Sequence, residues 1–227
     1  LAGIMDASGF LPEGVPSYWT VYFEVESADA TLQEIERLGG AMPDMWSVYL
    51  ATDDAARVVK ETQAHGGGVI VEAMDVMDLG VMAVLTDPSG AAIGAWKPGE
   101  HKGFGIYGEA NAPAWFELHT REYDKAVQFY KDVFSWPAHT AVDEPDFKYT
   151  TYGEGETALA GIMDASGFLP EGVPSYWTVY FEVESADATL QDIERLGGTT
   201  VTAPEDTPYG RLATASDPTG ASFRLMS

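Results

Sequence analysis

Cysteine is absent from all 227 residues, which excludes disulfides, thiolate nucleophiles and cysteine-held zinc. Basic side chains are scarce as well: 12 Lys and Arg stand against 36 Asp and Glu, for a formal charge of −24. Such a surface repels nucleic-acid phosphates and anionic lipid, so neither nucleic acid nor membrane is an expected partner. No apolar run approaches the roughly 20 residues of a spanning helix. The first residues carry neither the basic flank nor the apolar run of a signal peptide, and the expectation is a soluble, cytoplasmic protein. Histidine, the commonest metal ligand and general base, occurs only at His65, His101, His119 and His139.

What is present fits a folded chain: 45% apolar and 12% aromatic residues, at a length that suits two small domains. The acidic excess has two readings, an acidic groove for a cationic or metal-bearing ligand and a well-solvated surface, and a charge total alone does not locate a groove.

Internal repeats organise the chain. Leu1 to Gly40 returns at Leu159 to Gly198 with a single change, Glu34 to Asp192. Copies this close point to a recent duplication, a chimaeric fusion or a sequence-assembly error, and the residues leave all three open. A second, more diverged repeat pairs WSVYLATDDAARVVKETQAHGG from Trp46 with WTVYFEVESADATLQDIERLGG from Trp177, and DPSG at Asp87 with DPTG at Asp217. In the later copy Trp177, Val179, Phe181 and Val183 alternate with Thr178, Tyr180 and Glu182, the period of a strand with two different faces. Ser185 suits an N-cap, Leu190, Ile193 and Leu196 follow at helical spacing, and Gly197 and Gly198 stop the helix. Strands are expected at 200–203, 210–215 and 221–226, with Asp-Pro-x-Gly as a type I turn between the last two.

A different unit occupies 114–163. WFELHT reads as a strand, Ala126, Val127, Tyr130, Val133 and Phe134 form the apolar stripe of a helix, and strands are expected near 137–141, 147–152 and 159–163. Residues 98–113, rich in glycine, read as the linker before it.

WFELHTREYDKAVQFYKDVFSW resembles the opening strand and helix of a vicinal oxygen chelate module, the fold of the glyoxalase, bleomycin-resistance and ring-cleaving dioxygenase group. YFEVESADATLQDIERLGG and GRLATASDPTGASFRL resemble the start and the closing hairpin of the partner module. The resemblance, to a tandem-domain, actinobacterial-type member, implies an α+β chain of paired βαβββ modules, with curved mixed sheets enclosing a cavity and helices outside. On this reading 114–227 is a complete domain and 46–97 the partner module of an incomplete first one. Residues 1–45 hold the duplicated fragment and a junction. An unpartnered module exposes a sheet face, so completion by residues 1–40 or by another chain is expected, with a homodimer or domain swap through 1–45 as the route.

The resemblance also implies where family members hold a divalent metal: on the first strand of each module and the last strand of the partner. Matched residue by residue, these positions are Trp115, Thr178 and Arg224, with Ser47 and Gly94 in the incomplete domain. None is a metal ligand, and a guanidinium repels a cation. The expectation is therefore no metal and no other cofactor, with a divalent metal conceivable only at a displaced site made by His119, Glu117 and Glu182. Residues two apart on a strand share a face about 7 Å apart. If Trp115 faces the cavity, Glu117 and His119 do too, with Thr178, Tyr180 and Glu182 on the opposing wall beside Ser222 and Arg224. His119 and Glu117 are the candidate catalytic pair, and Trp115, Thr178, Tyr180, Glu182, Ser222 and Arg224 the candidate ligand-binding residues. The bland alternatives are a buried Glu117–Arg224 ion pair and a hydrogen-bonded His119 at the rim. His65, His101 and His139 show no ligand spacing, and Tyr149, Tyr176 and Trp177 read as core aromatics. Three functions remain open: small-molecule binding or sequestration without chemistry, an enzyme of glyoxalase or dioxygenase type, and assembly through the duplicated fragment.

Overall fold

In the computed structural model, residues 44–227 are described; the expectations placed on the duplicated fragment up to residue 43 lie outside them. The first module runs β1 (Tyr49–Ala51), α1 (Ala55–Ala64), β2 (Gly68–Val76), β3 (Gly80–Thr86) and β4 (Ala92–Pro98). After a stretch without helix or strand comes β5 (Pro113–Thr120), α2 (Tyr123–Phe134), β6 (Ala138–Glu144), β7 (Phe147–Tyr152) and β8 (Ala160–Asp164). The last module is β9 (Tyr176–Glu182), α3 (Ala186–Arg195), β10 (Thr199–Thr207), β11 (Gly210–Ser216) and β12 (Ser222–Met226).

Local chemistry sets these boundaries. Asp54 and Ser185 cap α1 and α3 by accepting from the backbone N–H groups of Arg57 and Ala188. Both Asp-Pro-x-Gly turns close with the glycine N–H donating to the aspartate carbonyl at 3.0 Å. In each, one carboxylate oxygen also accepts from two backbone N–H groups, and the glycine sits at positive φ.

The strands make a four-stranded sheet, β1-β4-β3-β2, and an eight-stranded sheet, β10-β11-β12-β9-β5-β8-β7-β6. In the larger one the two modules meet edge to edge: β5 and β9 run antiparallel, with Trp115 opposite Tyr180, Glu117 opposite Thr178 and His119 opposite Tyr176. Here the structure corrects the sequence reading. Thr178 and Tyr180 are not on an opposing wall but on the neighbouring strand, because the modules join through backbone pairing rather than by stacking their faces. The sheet also stays open, ending in β10 and β6, and does not close around a cavity. Both end strands carry register shifts, and β10 contains Pro204, devices suited to unpaired edges.

Apolar residues on the helix-facing side form a core that joins the first module to the second unit. Val58, Val59, Leu85 and Ile93 share one buried cluster with Leu118, Phe129, Tyr130 and Trp177. A buried polar chain crosses this junction: Trp177 Nε1 donates to the Tyr130 hydroxyl at 2.8 Å, which donates to Asp87 at 3.1 Å. The opposite side of the eight-stranded sheet carries the polar residues.

Candidate functional site

Alternation on β5 sends Leu118 into the core and Glu117 and His119 to the other face. Glu117 is only 6% exposed and His119 fully buried, so both need hydrogen-bond partners from the protein. The neighbouring strands supply what burial demands. Glu117 Oε2 accepts from His119 Nε2 at 2.6 Å and from the Tyr180 hydroxyl at 2.6 Å, while Oε1 accepts from the Tyr149 hydroxyl at 2.6 Å. Trp115 Nε1 donates to the Tyr149 oxygen at 2.9 Å. Tyr176 lies beside the imidazole, its hydroxyl 3.2 Å from Nδ1. The Arg224 guanidinium sits over the Tyr180 ring, 5.3 Å from its centre, as their opposed positions on β12 and β9 require.

A glycine makes room for this arrangement. Gly161 on β8 is the cross-strand partner of Glu117, and the Tyr149 ring passes directly over it. A Cβ at Gly161 would lie 2.0 Å from the Tyr149 hydroxyl. The bare backbone thus lets Tyr149 reach from β7, across β8, to the carboxylate on β5.

The electrostatics follow from the geometry. Burial alone would raise the Glu117 pKa, but the bonds from His119, Tyr149 and Tyr180 and the charge an imidazolium would supply outweigh it, holding the group below the usual carboxylate range. Burial and the adjacent Glu117 push both Tyr149 and Tyr180 well up, so their hydroxyls stay protonated donors. Burial works against the charge on Arg224, yet Tyr180, Glu117 and Tyr176 together hold its pKa above the ordinary value.

A loop covers the buried end. Arg121 Nη2 donates to the carbonyls of Leu169 at 2.9 Å, Pro170 at 2.6 Å and Val173 at 3.2 Å, fixing the segment between β8 and β9. That segment places Phe168 edge-on to His119 with ring centres 5.9 Å apart.

Of the residues singled out in the sequence, the structure gathers Trp115, Glu117, His119, Thr178, Tyr180 and Arg224 on one face. Glu182 and Ser222 stand apart at strand ends: Glu182 pairs with Met226, and Ser222 is exposed opposite Ser216. No side-chain bond joins either to the cluster. Glu117 is not ion-paired to Arg224, its carboxylate oxygens being taken by His119 and two tyrosines. His119 is not a rim residue; the loop and Tyr176 bury it. Tyr149 and Tyr176, read from sequence as core, belong to the cluster. Glycine inside a strand pattern at Gly161 was the one available signal for Tyr149.

Residues 112–225 match the Glyoxalase/Bleomycin resistance protein/Dioxygenase superfamily. The chain is also 37% identical over 216 residues to CFP32 of Mycobacterium tuberculosis, named a glyoxylase, covering 95% of this chain and 71% of that protein. The chain belongs to this superfamily. It is 38% identical over 217 residues to the anthracycline biosynthesis protein DnrV of Streptomyces peucetius, covering 94% of this chain and 66% of that one. Among solved structures it is similar to the Mn(II)-bound glyoxalase from Novosphingobium aromaticivorans at 16% identity and a TM-score of 0.49, over 79% of this chain and 61% of that one.

Membership in this superfamily raises the question of a metal, and the residues at hand do not fit one. Trp115, Thr178 and Arg224 bring an indole, a hydroxyl and a permanent cation to the three strand positions concerned. The displaced set fares no better, because the His119 nitrogens face Glu117 and Tyr176 while Glu182 lies beyond Tyr180 on β9. Among the described residues no three His, Asp or Glu side chains converge as a ligand group would.

Proposed function

We propose that this superfamily member is a small-molecule binding or sequestration protein whose ligand lies on the face formed by Trp115, Tyr149, Tyr176 and Arg224. One observation carries the reading: where a chelated metal would need carboxylates and imidazoles, three strands instead present an indole, a hydroxyl and a guanidinium. The four named residues are those of the cluster that keep partial solvent access, whereas Glu117, His119, Thr178 and Tyr180 are buried beneath them. Flat aromatic surface beside a cation suits a planar, oxygen-rich aromatic ligand. The similarity to a protein named for anthracycline biosynthesis supports the same ligand class.

Titrating the protein with alizarin, a dihydroxyanthraquinone, while following tryptophan fluorescence tests this. Saturable quenching is expected, weakened at least about tenfold, or roughly 1.4 kcal/mol, by Trp115→Ala. Equal binding by Trp115→Ala, or no binding to the unaltered protein, contradicts it. A second reading has one observation in its favour: the buried His119–Glu117 pair, 2.6 Å apart, has the geometry of a base with its orienting carboxylate and suits a metal-free acid-base enzyme. Turnover of a glyoxalase-type substrate, abolished by His119→Gln, would establish it.

A further inference from the structure

The cluster is a chain of hydrogen bonds whose donors all point one way. Glu117 is the terminal acceptor, held ionised by His119, Tyr149 and Tyr180. Its bond with His119 Nε2 assigns the proton to that nitrogen, since a carboxylate only accepts. In the neutral imidazole Nδ1 is then the acceptor, and the group facing it at 3.2 Å is the Tyr176 hydroxyl. With the imidazole neutral, Tyr176 spends its only proton inward. Its oxygen, on a half-buried side chain, also accepts from the Arg224 guanidinium, which leaves one lone pair for a donor from outside.

His119 cannot meet a ligand itself, being fully buried under Phe168 and Tyr176. From this geometry we infer that Tyr176 is the contact through which the site takes an acidic hydroxyl, a phenol or enol, and binds it as its oxyanion. This rests on the reading of the face as a ligand site. The proton balance closes within the chain. The ligand O–H gives its proton to the Tyr176 oxygen, and Tyr176 passes its own to His119 Nδ1. The product is an imidazolium paired with Glu117 and a ligand oxyanion beside Arg224. Tyr176 ends protonated, now accepting from Nδ1 and donating to the ligand oxygen, and no oxidant or co-reactant is needed. The arrangement discriminates by chemistry, since a carbonyl or ether oxygen offers Tyr176 no proton and meets a lone pair instead.

Alizarin reports the outcome directly, because its visible band moves to longer wavelength when a phenol ionises. Bound to the protein at a pH where free alizarin is largely neutral, it is expected to show the ionised band. Tyr176→Phe and His119→Gln are expected to keep the fold by circular dichroism, and to lose much less affinity for anthraquinone sulfonate, which has no phenol, than for alizarin. Both are expected to lose the ionised band and about tenfold or more in alizarin affinity. An ionised band that survives Tyr176→Phe, or a neutral chromophore bound to the unaltered protein, overturns the inference while leaving the binding site standing. Failure of both dyes to bind the unaltered protein overturns the inference and the binding reading together. Should His119→Gln unfold, the histidine tautomer read by nitrogen-15 NMR decides: a proton on Nε2, with an Nδ1 signal that moves in Tyr176→Phe, supports the relay, and a proton on Nδ1 overturns it.

Discussion

Tyr49 and Tyr180 hold the same place in two copies of one strand, and their surroundings could hardly differ more. Tyr180 sits opposite Arg224, is 5% exposed and donates to Glu117. Tyr49 sits opposite Gly94, is 40% exposed, and lies across the bare glycine backbone. The cause is the neighbouring strand. β9 is flanked by β5, which brings the carboxylate, whereas β1 ends its sheet and among the described residues nothing pairs with its outer edge. The polar cluster is thus a property of the seam between an opening and a partner module, and a partner module alone does not produce it.

The largest break in this comparison is expected at Glu117. Glu117→Ala leaves His119, Tyr149 and Tyr180 with buried donors unmatched and should cost about 3–5 kcal/mol. Tyr49→Phe, at the corresponding place in the first module, should stay within about 0.5 kcal/mol. Chemical denaturation measures both, and similar values for the two would dissolve the distinction. Next comes the glycine pair. An added Cβ at Gly161 forces the Tyr149 ring off Glu117 and should cost about 1–3 kcal/mol. Gly94→Ala meets the Tyr49 ring at 2.1 Å, closer than any real contact, yet Tyr49 is exposed enough to swing aside, and the loss should fall below about 1 kcal/mol. Equal losses would mean that Tyr49 is held as firmly as Tyr149.

Acid should act through the seam as well. The Glu117 pKa is lower folded than unfolded, so its stabilisation is complete above the unfolded carboxyl value of about 4.3 and fades as pH falls through the lowered native value. Denaturation midpoints should therefore drop on acidification below that range, and Glu117→Gln should remove part of the drop; an unchanged slope in the variant would assign the acid sensitivity elsewhere. The smallest effect is expected at the loop. Arg121→Ala frees the carbonyls of Leu169, Pro170 and Val173, which should leave global stability within about 1 kcal/mol. Modification of His119 by diethylpyrocarbonate should nevertheless speed up, and an unchanged rate would show that the arginine does not hold the cover.

Much of this was legible in the residues. The alternation of WFELHT sets Glu117 and His119 on one side of their strand, that of WTVYFEV sets Thr178 and Tyr180 on one side of theirs, and the caps, helix stripes and Asp-Pro-x-Gly turns mark the elements. Strand pairing was not legible, because alternation tells which way a side chain points but not which strand lies alongside. For that reason the residues alone place Thr178 and Tyr180 on an opposing wall, whereas they lie on the strand beside β5, and the same parity extends to Glu182 and Ser222, which sit at strand ends. Tyr149 and Tyr176 were missed because a tyrosine bound for the core and one that serves a buried carboxylate look alike until a partner from a distant strand arrives. His119 was recognised as a candidate, but its burial depends on the 165–175 loop and on Arg121, a contact spanning 48 residues to Leu169 that no local pattern announces.

The claim beneath all of these expectations is that the strand positions of a chelated metal have here become an aromatic and cationic surface. Element analysis after equilibration with zinc, manganese and nickel and removal of free ions, on the unaltered protein and on His119→Ala, tests it most directly. The account predicts no stoichiometric metal in either protein; stoichiometric metal in the first that is lost in the second would contradict it.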